Sequence, residues 1–469
     1  MSTTSEISCL LETLTSSIDA FRAELTNQQL PEPSLCTSKP HPIDDPSYVP
    51  SPRMYEARRL AVSSLNQLKL LLESPVDAAL GISMRSAEIQ SVRLAAEIHL
   101  PEVLDTASDT EEGEHIEAIA EKTETDERKL EGIVRFLVKT GWFRETKAGY
   151  FANNRRSHTL RTGQPGYLVF RNFNDYCYNV HGKLTEAMTH PDKSFRMARD
   201  LTRTAWNLHI GKDMPFFGPN GWTEKYPEEA QKFALGMGAM GAASDRGVIQ
   251  DFLWADVAKD KDAVIDVGGG QGTLSCSLAA AYPEIKSFVV QDLPAVRQPA
   301  ESYIASKGLS DRVKFEEQDF FQANRRKGTG NYVFILQKVL HDWSEEDGAE
   351  ILRRIAECLA DSKSTLLIID PLLSPATFSA EGPSARDSLA TLEGANHYQP
   401  APPPPFIPQD AGDNWLIPHT VSICLIAIYN ASEHTHSSMA GMLEAAGMQI
   451  KKVTATRGYV QVTEVELLG

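Results

Sequence analysis

The stretch Gln337-Lys338-Val339-Leu340-His341-Asp342-Trp343 holds the residue types best suited to moving a proton. Histidine titrates near neutral pH, so His341 is the natural general base. Asp370 and Glu433 are carboxylates whose predicted places bring them to the same edge; a carboxylate on the imidazole fixes its tautomer and raises its basicity. The stretch follows a predicted strand over 331–337, and in open α/β sheets the carboxyl ends of the strands carry the ligands. The same residues also fit a buried His-Asp-Trp turn with no chemistry.

A second stretch, Val264 to Asp292, supplies a pocket for a small molecule. It reads as a strand (264–267), a tight turn with Gly268, Gly270 and Gly272, a helix from Leu274 to Tyr282, and a strand from Ser287 to Gln291 capped by Asp292. That is a βαβ unit whose distal carboxylate can accept from two ribose hydroxyls. Asp266, just before the glycines, repels a phosphate but attracts a sulfonium or ammonium. This favours S-adenosylmethionine over a dinucleotide. Asp319 ends a predicted third strand, where it suits a purine amine, with Phe320 on the ring face. The chemistry that fits is methyl transfer: His341 takes the proton of a phenol or enol hydroxyl, and the oxyanion attacks the methyl in line. The protein supplies mainly proximity and orientation. No acidic trio suggests a metal.

Four segments follow from the pattern. Residues 1–52 form a surface segment: a helix over Ile7 to Leu25, then seven prolines between Pro31 and Pro52. Residues 53–165 are compact. Helices are predicted over Tyr55–Leu72 and Met84–Ile98, then 116–121 and 127–140 with Thr125 as cap and Gly141 as stop. A small hairpin follows at Trp142–Glu145 and Tyr150–Ala152, completing a winged-helix pattern. Its second helix mixes acids and bases, which favours a structural or dimerising role over DNA binding. His158 follows the wing, as a cap or facing the ligand pocket. Residues 166–246 are helical and rich in aromatics and methionine; Trp206, Phe233 and Met237 read equally as core or as a wall for a flat substrate, and the small residues 236–243 permit close approach. Residues 247–469 alternate strands and helices as a doubly wound sheet. The later elements are strands 313–315 and 365–370, a helix 347–359, an apolar helix 418–429 with its proline in the first turn, a helix 438–446, and a terminal hairpin of edge strands over 448–467. Nine prolines between Pro371 and Pro408 mark 374–410 as an inserted loop.

Composition narrows the partners. The chain has 469 residues and a formal charge of −17, from 63 acids against 46 bases, which argues against nucleic acid. Six scattered cysteines show neither disulfide nor zinc spacing. No apolar run is long enough to span a bilayer and no signal peptide is evident, so a cytoplasmic setting is expected.

Taken together, Asp266-Val267-Gly268-Gly269-Gly270-Gln271-Gly272, Asp292-Leu293-Pro294, Asp319-Phe320-Phe321, Leu340-His341-Asp342-Trp343 and Glu433-His434-Thr435 resemble the class I S-adenosylmethionine-dependent O-methyltransferases of the plant caffeic acid and fungal secondary-metabolite type. Asn153 to Ser157 resembles the fungal branch. The resemblance covers about residues 55–467. It implies an α/β fold: a Rossmann-like methyltransferase domain behind an all-helical, winged-helix N-terminal dimerisation domain, working as a homodimer on an aromatic or polyketide-derived small molecule. It also implies Asp292 on the ribose, Asp319 and Phe320 on the adenine, His341 as base, and Asp370 and Glu433 orienting it and the substrate. Three departures stand out. Gln337 occupies a position where the family usually has a cofactor-holding lysine or arginine, and the lysine is instead Lys338. Ser422 aligns with a usual aspartate. The 374–410 insertion is long. Some fungal proteins of this appearance catalyse dehydration or pericyclic reactions without methyl transfer, and there Lys338, His158 and His341 would polarise a substrate carbonyl.

Overall fold

The computed structural model describes residues 5–469 except 219 and 361, and leaves the side chains of 242–244 and 413–415 undescribed. The described chain divides into two compact units, residues 1–178 with 228–243 and residues 179–227 with 244–469.

In the first unit, helix Glu6–Asn27 packs along helix Pro52–Leu72. The proline-rich segment between them is strapped down by polar contacts. Ser38 and Thr37 hydroxyls donate to Glu111 Oε1 (2.7 and 3.0 Å), Arg144 donates to the Cys36 carbonyl, and Arg155 pairs with Asp44. The expected helix over 84–98 is Ser86–Glu97, preceded by a further helix, Pro75–Ser83. Helices Ile116–Thr123 and Glu127–Lys139 precede a small sheet in which Tyr150–Ala152 lies between Glu114–His115 and Arg144–Lys147. Asp126, rather than Thr125, caps the second of these helices: its carboxylate accepts from the Lys129 amide (3.0 Å), while the Thr125 hydroxyl pairs with Thr123. Val92, Leu104, Ile119, Leu130, Leu137 and Phe151 form the unit's core.

The second unit is built on a seven-stranded sheet: β1 (Ala263–Val267), β2 (Phe288–Asp292), β3 (Val313–Glu317), β4 (Tyr332–Gln337), β5 (Thr365–Asp370), β6 (Met448–Ala455) and β7 (Gln461–Leu467). The order is β3-β2-β1-β4-β5-β7-β6, parallel except for β7, which runs antiparallel between β5 and β6. Only β6 is therefore an edge strand of the expected terminal hairpin. Every residue of β1 is buried, as are the first five of β4, which reads in sequence as an unbroken apolar run because helices cover both faces. The strand order reverses between β1 and β4, and a crevice opens at such a switch point.

Two local expectations change. The apolar helix begins at Asp413 and ends at Tyr429, so Pro418 lies inside it rather than in its first turn. The inserted stretch carries a short helix, Ala385–Ala390, capped by Ser384, and it buries Leu389, Leu392 and Ile407. Its prolines rule out long elements but not a single capped turn-and-a-half.

Candidate active site

His341 sits on a single turn, Leu340–Asp342, immediately after β4. Its Nδ1 lies 3.0 Å from Glu433 Oε2, and both side chains are buried. Glu433 is presented by the segment after helix Asp413–Tyr429, and its backbone N–H donates to Ser422 Oγ on that helix (3.2 Å). The serine standing where the resemblance expects an aspartate is thus a brace for Glu433. His341 Nε2 lies 3.7 Å from Asp342 Oδ1, beyond a hydrogen bond. Burial alone would strip the imidazole of its proton, but the charges of Glu433 and Asp342 outweigh it and carry His341 up to about 10. Burial pushes the Asp342 carboxyl up to about 6 against the pull of His341.

Asp370, the last residue of β5, accepts the Lys338 backbone N–H at Oδ1 (2.7 Å); its Oδ2 is buried and has no hydrogen-bond partner among the described residues. Burial lifts its carboxyl to about 7. An orphaned buried acceptor costs about 1–3 kcal/mol unless a ligand or a proton meets it. Lys338 itself has φ +53°, a left-handed conformation uncommon outside glycine. Its ammonium is 5.6 Å from the centre of the Tyr459 ring. Burial opposes its charge, but Tyr459, Asp245 and Asp370 hold its pKa above the ordinary value. The neighbouring Gln337 amide donates to Asp245 Oδ1 (2.7 Å).

The glycine turn is shaped by contact. Gly268, Gly270 and Gly272 all have positive φ, +70°, +56° and +78°. A Cβ on Gly272 would stand 2.8 Å from Val290 Cγ2, and one on Gly268 2.9 Å from Val339 Cγ2, with Phe320 Cε1 at 3.5 Å. A Cβ on Gly270 would meet nothing within 4 Å. Gly272 thus lets the following helix close on the sheet, while Gly270 faces open space. Asp292 Oδ2 accepts the Gly270 N–H (2.8 Å) and Oδ1 the Leu293 N–H (2.7 Å); burial raises its carboxyl. Asp266 lies under the turn, where it accepts the Ser275 hydroxyl (2.7 Å), and burial brings it to about 6. Asp319 Oδ1 accepts the Phe321 N–H (2.9 Å), and Phe320 meets Trp343 edge-on at 5.7 Å.

These residues fit a nucleoside carrying positive charge. The open side of Gly270, the ring of Phe320 beside Gly268 and the partly buried carboxylate of Asp292 leave room for a base and an acceptor for a diol.

The predicted substrate residues fall in both units. Trp206 is buried edge-on to Phe216 and Trp222 (5.1 and 5.3 Å), within an aromatic cluster that continues through Phe217 stacked on Tyr429 (5.4 Å). Phe233 and Met237 belong to the first unit, where Phe233 packs on Phe173 and Tyr176 (5.6 and 5.4 Å) and Met237 is half-buried. His158, in the same unit, has its Nε2 2.6 Å from the Ser38 carbonyl and so helps hold the strap. Sequence reasoning marked Ser422 only as a departure from the family pattern and missed Asp245 and Ser275; single polar residues on apolar helices give no periodic signal.

The sheet order and the helical N-terminal region are those of a Rossmann-like fold. Two solved structures share it: the mitomycin 7-O-methyltransferase MmcR (TM-score 0.62, 22% identity, covering 86% of this chain and 99% of that one) and LepI in complex with S-adenosylmethionine (TM-score 0.64, 18% identity, 88% and 94%). Residues 206–392 match the O-methyltransferase domain family. The O-methyltransferase tpcA of Aspergillus fumigatus is 28% identical over 458 residues, covering 89% of this chain and 88% of that protein. The chain is thus similar to the O-methyltransferase domain family over residues 206–392 and to fungal O-methyltransferases over most of its length.

Proposed function

We propose that the protein transfers a methyl group from S-adenosylmethionine to a hydroxyl of an aromatic or polyketide-derived small molecule, with His341 as general base. The observation that carries this is the buried His341–Glu433 pair at the carboxyl edge of β4, one strand from the glycine turn. With Nδ1 engaged by Glu433, Nε2 is the nitrogen that takes the hydroxyl proton, and Glu433 stabilises the imidazolium that results. Asp292 would accept from the ribose, Asp319 and Phe320 would frame the adenine, and the Gly270 side of the turn would admit the ligand closely. When bound, the cofactor supplies an electrophilic methyl on a sulfonium. Asp266 supports the turn from beneath, and Gln337, through Asp245, fixes the edge above it. Asp370 keeps Lys338 and the His341 turn in place and offers its unpaired oxygen toward the buried edge. Trp206, Phe233, Met237, Lys338 and His158 are proposed to shape the substrate's surroundings. The working form is proposed to be a homodimer, with no nucleic-acid partner.

A second reading is favoured by one finding: the fold is shared with a pericyclic reaction enzyme (TM-score 0.63, 18% identity). There the Lys338 ammonium and His341 would stabilise a polar cyclisation without methyl transfer. Incubation with methyl-labelled S-adenosylmethionine and a panel of phenolic polyketides decides between them. Label in one product, lost in His341→Ala, supports methyl transfer; an unlabelled isomer supports cyclisation and sinks the methyltransferase assignment.

A further inference from the structure

Two buried amides lie behind the proposed nucleoside pocket. Gln291, fully buried, precedes Asp292 on β2; Asn324, also buried, lies in the loop after β3 that carries Asp319 and Phe320. They form a reciprocal pair: Asn324 Nδ2 donates to Gln291 Oε1 (2.8 Å) and Gln291 Nε2 donates to Asn324 Oδ1 (3.2 Å). The pair is anchored on both sides. Gln291 Nε2 also donates to Glu316 Oε1 (2.7 Å), Glu316 is bridged by Arg326 (2.5 Å), and the Arg326 N–H donates to Asn324 Oδ1 (3.0 Å). Gln318 closes the loop by donating to the Asp319 carbonyl (2.7 Å) and accepting the Arg325 N–H (3.1 Å). On the other side the Gln291 carbonyl accepts the Gly268 N–H (2.8 Å).

One residue thus reaches three parts of the site: its backbone the glycine turn, its chain neighbour the ribose carboxylate, its side chain the adenine loop. Two amides facing each other in a dry interior tolerate little play, because a small shift leaves buried donors and acceptors unpaired. We infer that Gln291 and Asn324 are positioning residues that hold the Asp319–Phe320 loop in register with Asp292, and so set recognition of an adenine nucleoside. This rests on the cofactor reading above and names the residues that determine its base specificity. The pair touches neither His341 nor Glu433, so it acts on cofactor affinity and base choice rather than on proton transfer.

The test is calorimetric binding of S-adenosylhomocysteine and of its 6-oxo analogue, S-inosylhomocysteine, to the full chain, with the melting temperature as a fold control. Wild type is expected to bind the adenine compound more tightly. Asn324→Ala is expected to weaken it about tenfold, the order that loss of one buried hydrogen-bonded partner gives, and to bring the two affinities together. With S-adenosylmethionine in a methyl-transfer assay the loss should appear in KM, with kcat at saturation within about twofold. The swap Gln291→Asn with Asn324→Gln rebuilds an amide pair and should restore the discrimination. Asn324→Ala that folds and keeps the wild-type ratio of affinities overturns the inference, and so does an equal weakening of both compounds, which is what loose packing alone would do. If Asn324→Ala does not fold, the swap decides: a folded swap without discrimination overturns the inference. Failure of wild type to bind either compound would instead remove the cofactor reading itself.

Discussion

At the scale of single residues, the cluster of His341, Asp342, Asp370 and Glu433 makes proton affinity the property to probe. His341→Ala is expected to lower methyl transfer by about 10²–10⁴-fold, the usual worth of a positioned acid or base, while S-adenosylhomocysteine still binds. Because Glu433 and Asp342 carry His341 up to about 10, the base form gains population as pH rises, so turnover should climb from pH 6 toward pH 9. Glu433→Gln removes the largest charge favouring the imidazolium. The climb should then begin at lower pH, with a reduced plateau because the imidazolium is no longer stabilised; an unchanged profile would show that another group is titrating. The same shifts act on stability. His341 at about 10 and Asp370 at about 7 both lie above their unfolded values, so the folded chain holds protons that the unfolded chain releases. Asp370 stabilises fully below about pH 3.9 and loses that contribution as pH rises through 7; His341 stabilises fully below about 6.5 and loses it toward 10. Thermal unfolding should therefore show stability falling from mildly acid to alkaline pH, and Asp370→Asn should flatten the acid part of that fall. The meeting of His341 with Glu433, and the place of Asp370 at the end of β5, were legible in the sequence because a histidine and two carboxylates just past predicted strand and helix ends are distinctive. The roles of Ser422 and Asp245 were not, because they come from a backbone N–H and a neighbouring amide that only folding brings near.

At the scale of elements, the turn after β1 separates two functions among its glycines. Gly272→Ala must keep φ near +78° and press a methyl against Val290. A loss of about 1–3 kcal/mol in chemical denaturation is expected. Gly270→Ala has φ +56° but open space, so its stability cost should be near 1 kcal/mol, while nucleoside affinity falls sharply because the methyl projects on the ligand's side. Equal affinity in Gly270→Ala and wild type would show that the ligand does not approach that face. The sequence pattern announced these elements well. Strand 365–370 is predicted to the residue, and the glycine run, helix and Asp292 lie as expected. It misplaced what depends on tertiary context. The apolar helix runs through Pro418, which is itself buried although its neighbours Leu416 and Ile417 are exposed. The terminal hairpin inserts β7 beside β5, because Val462 and Val465 are buried only there.

At the scale of the whole molecule, the described residues of the first unit leave a group of apolar side chains exposed. Helix Pro75–Ser83 buries none of its residues. Together with the end of helix Pro52–Leu72 it exposes Leu70, Leu72, Val76, Leu80, Ile82 and Met84, with Leu72 at 72% and Val76 at 67%. Several large apolar side chains exposed within fifteen residues of sequence are a candidate interaction site. A second copy of the chain is the partner proposed for it: a two-fold axis would set the same patch against itself, apolar residues against apolar residues. The net charge of −17 opposes association at long range, so salt should favour the dimer by screening rather than weaken it. Light scattering after size exclusion is expected to give twice the chain mass. Replacing Leu72, Val76 and Leu80 together by glutamate places six charges across the axis and should yield monomers with an unchanged far-ultraviolet spectrum. A wild-type monomer at micromolar concentration, or a triple variant that still dimerises, would assign that surface to something other than a second copy.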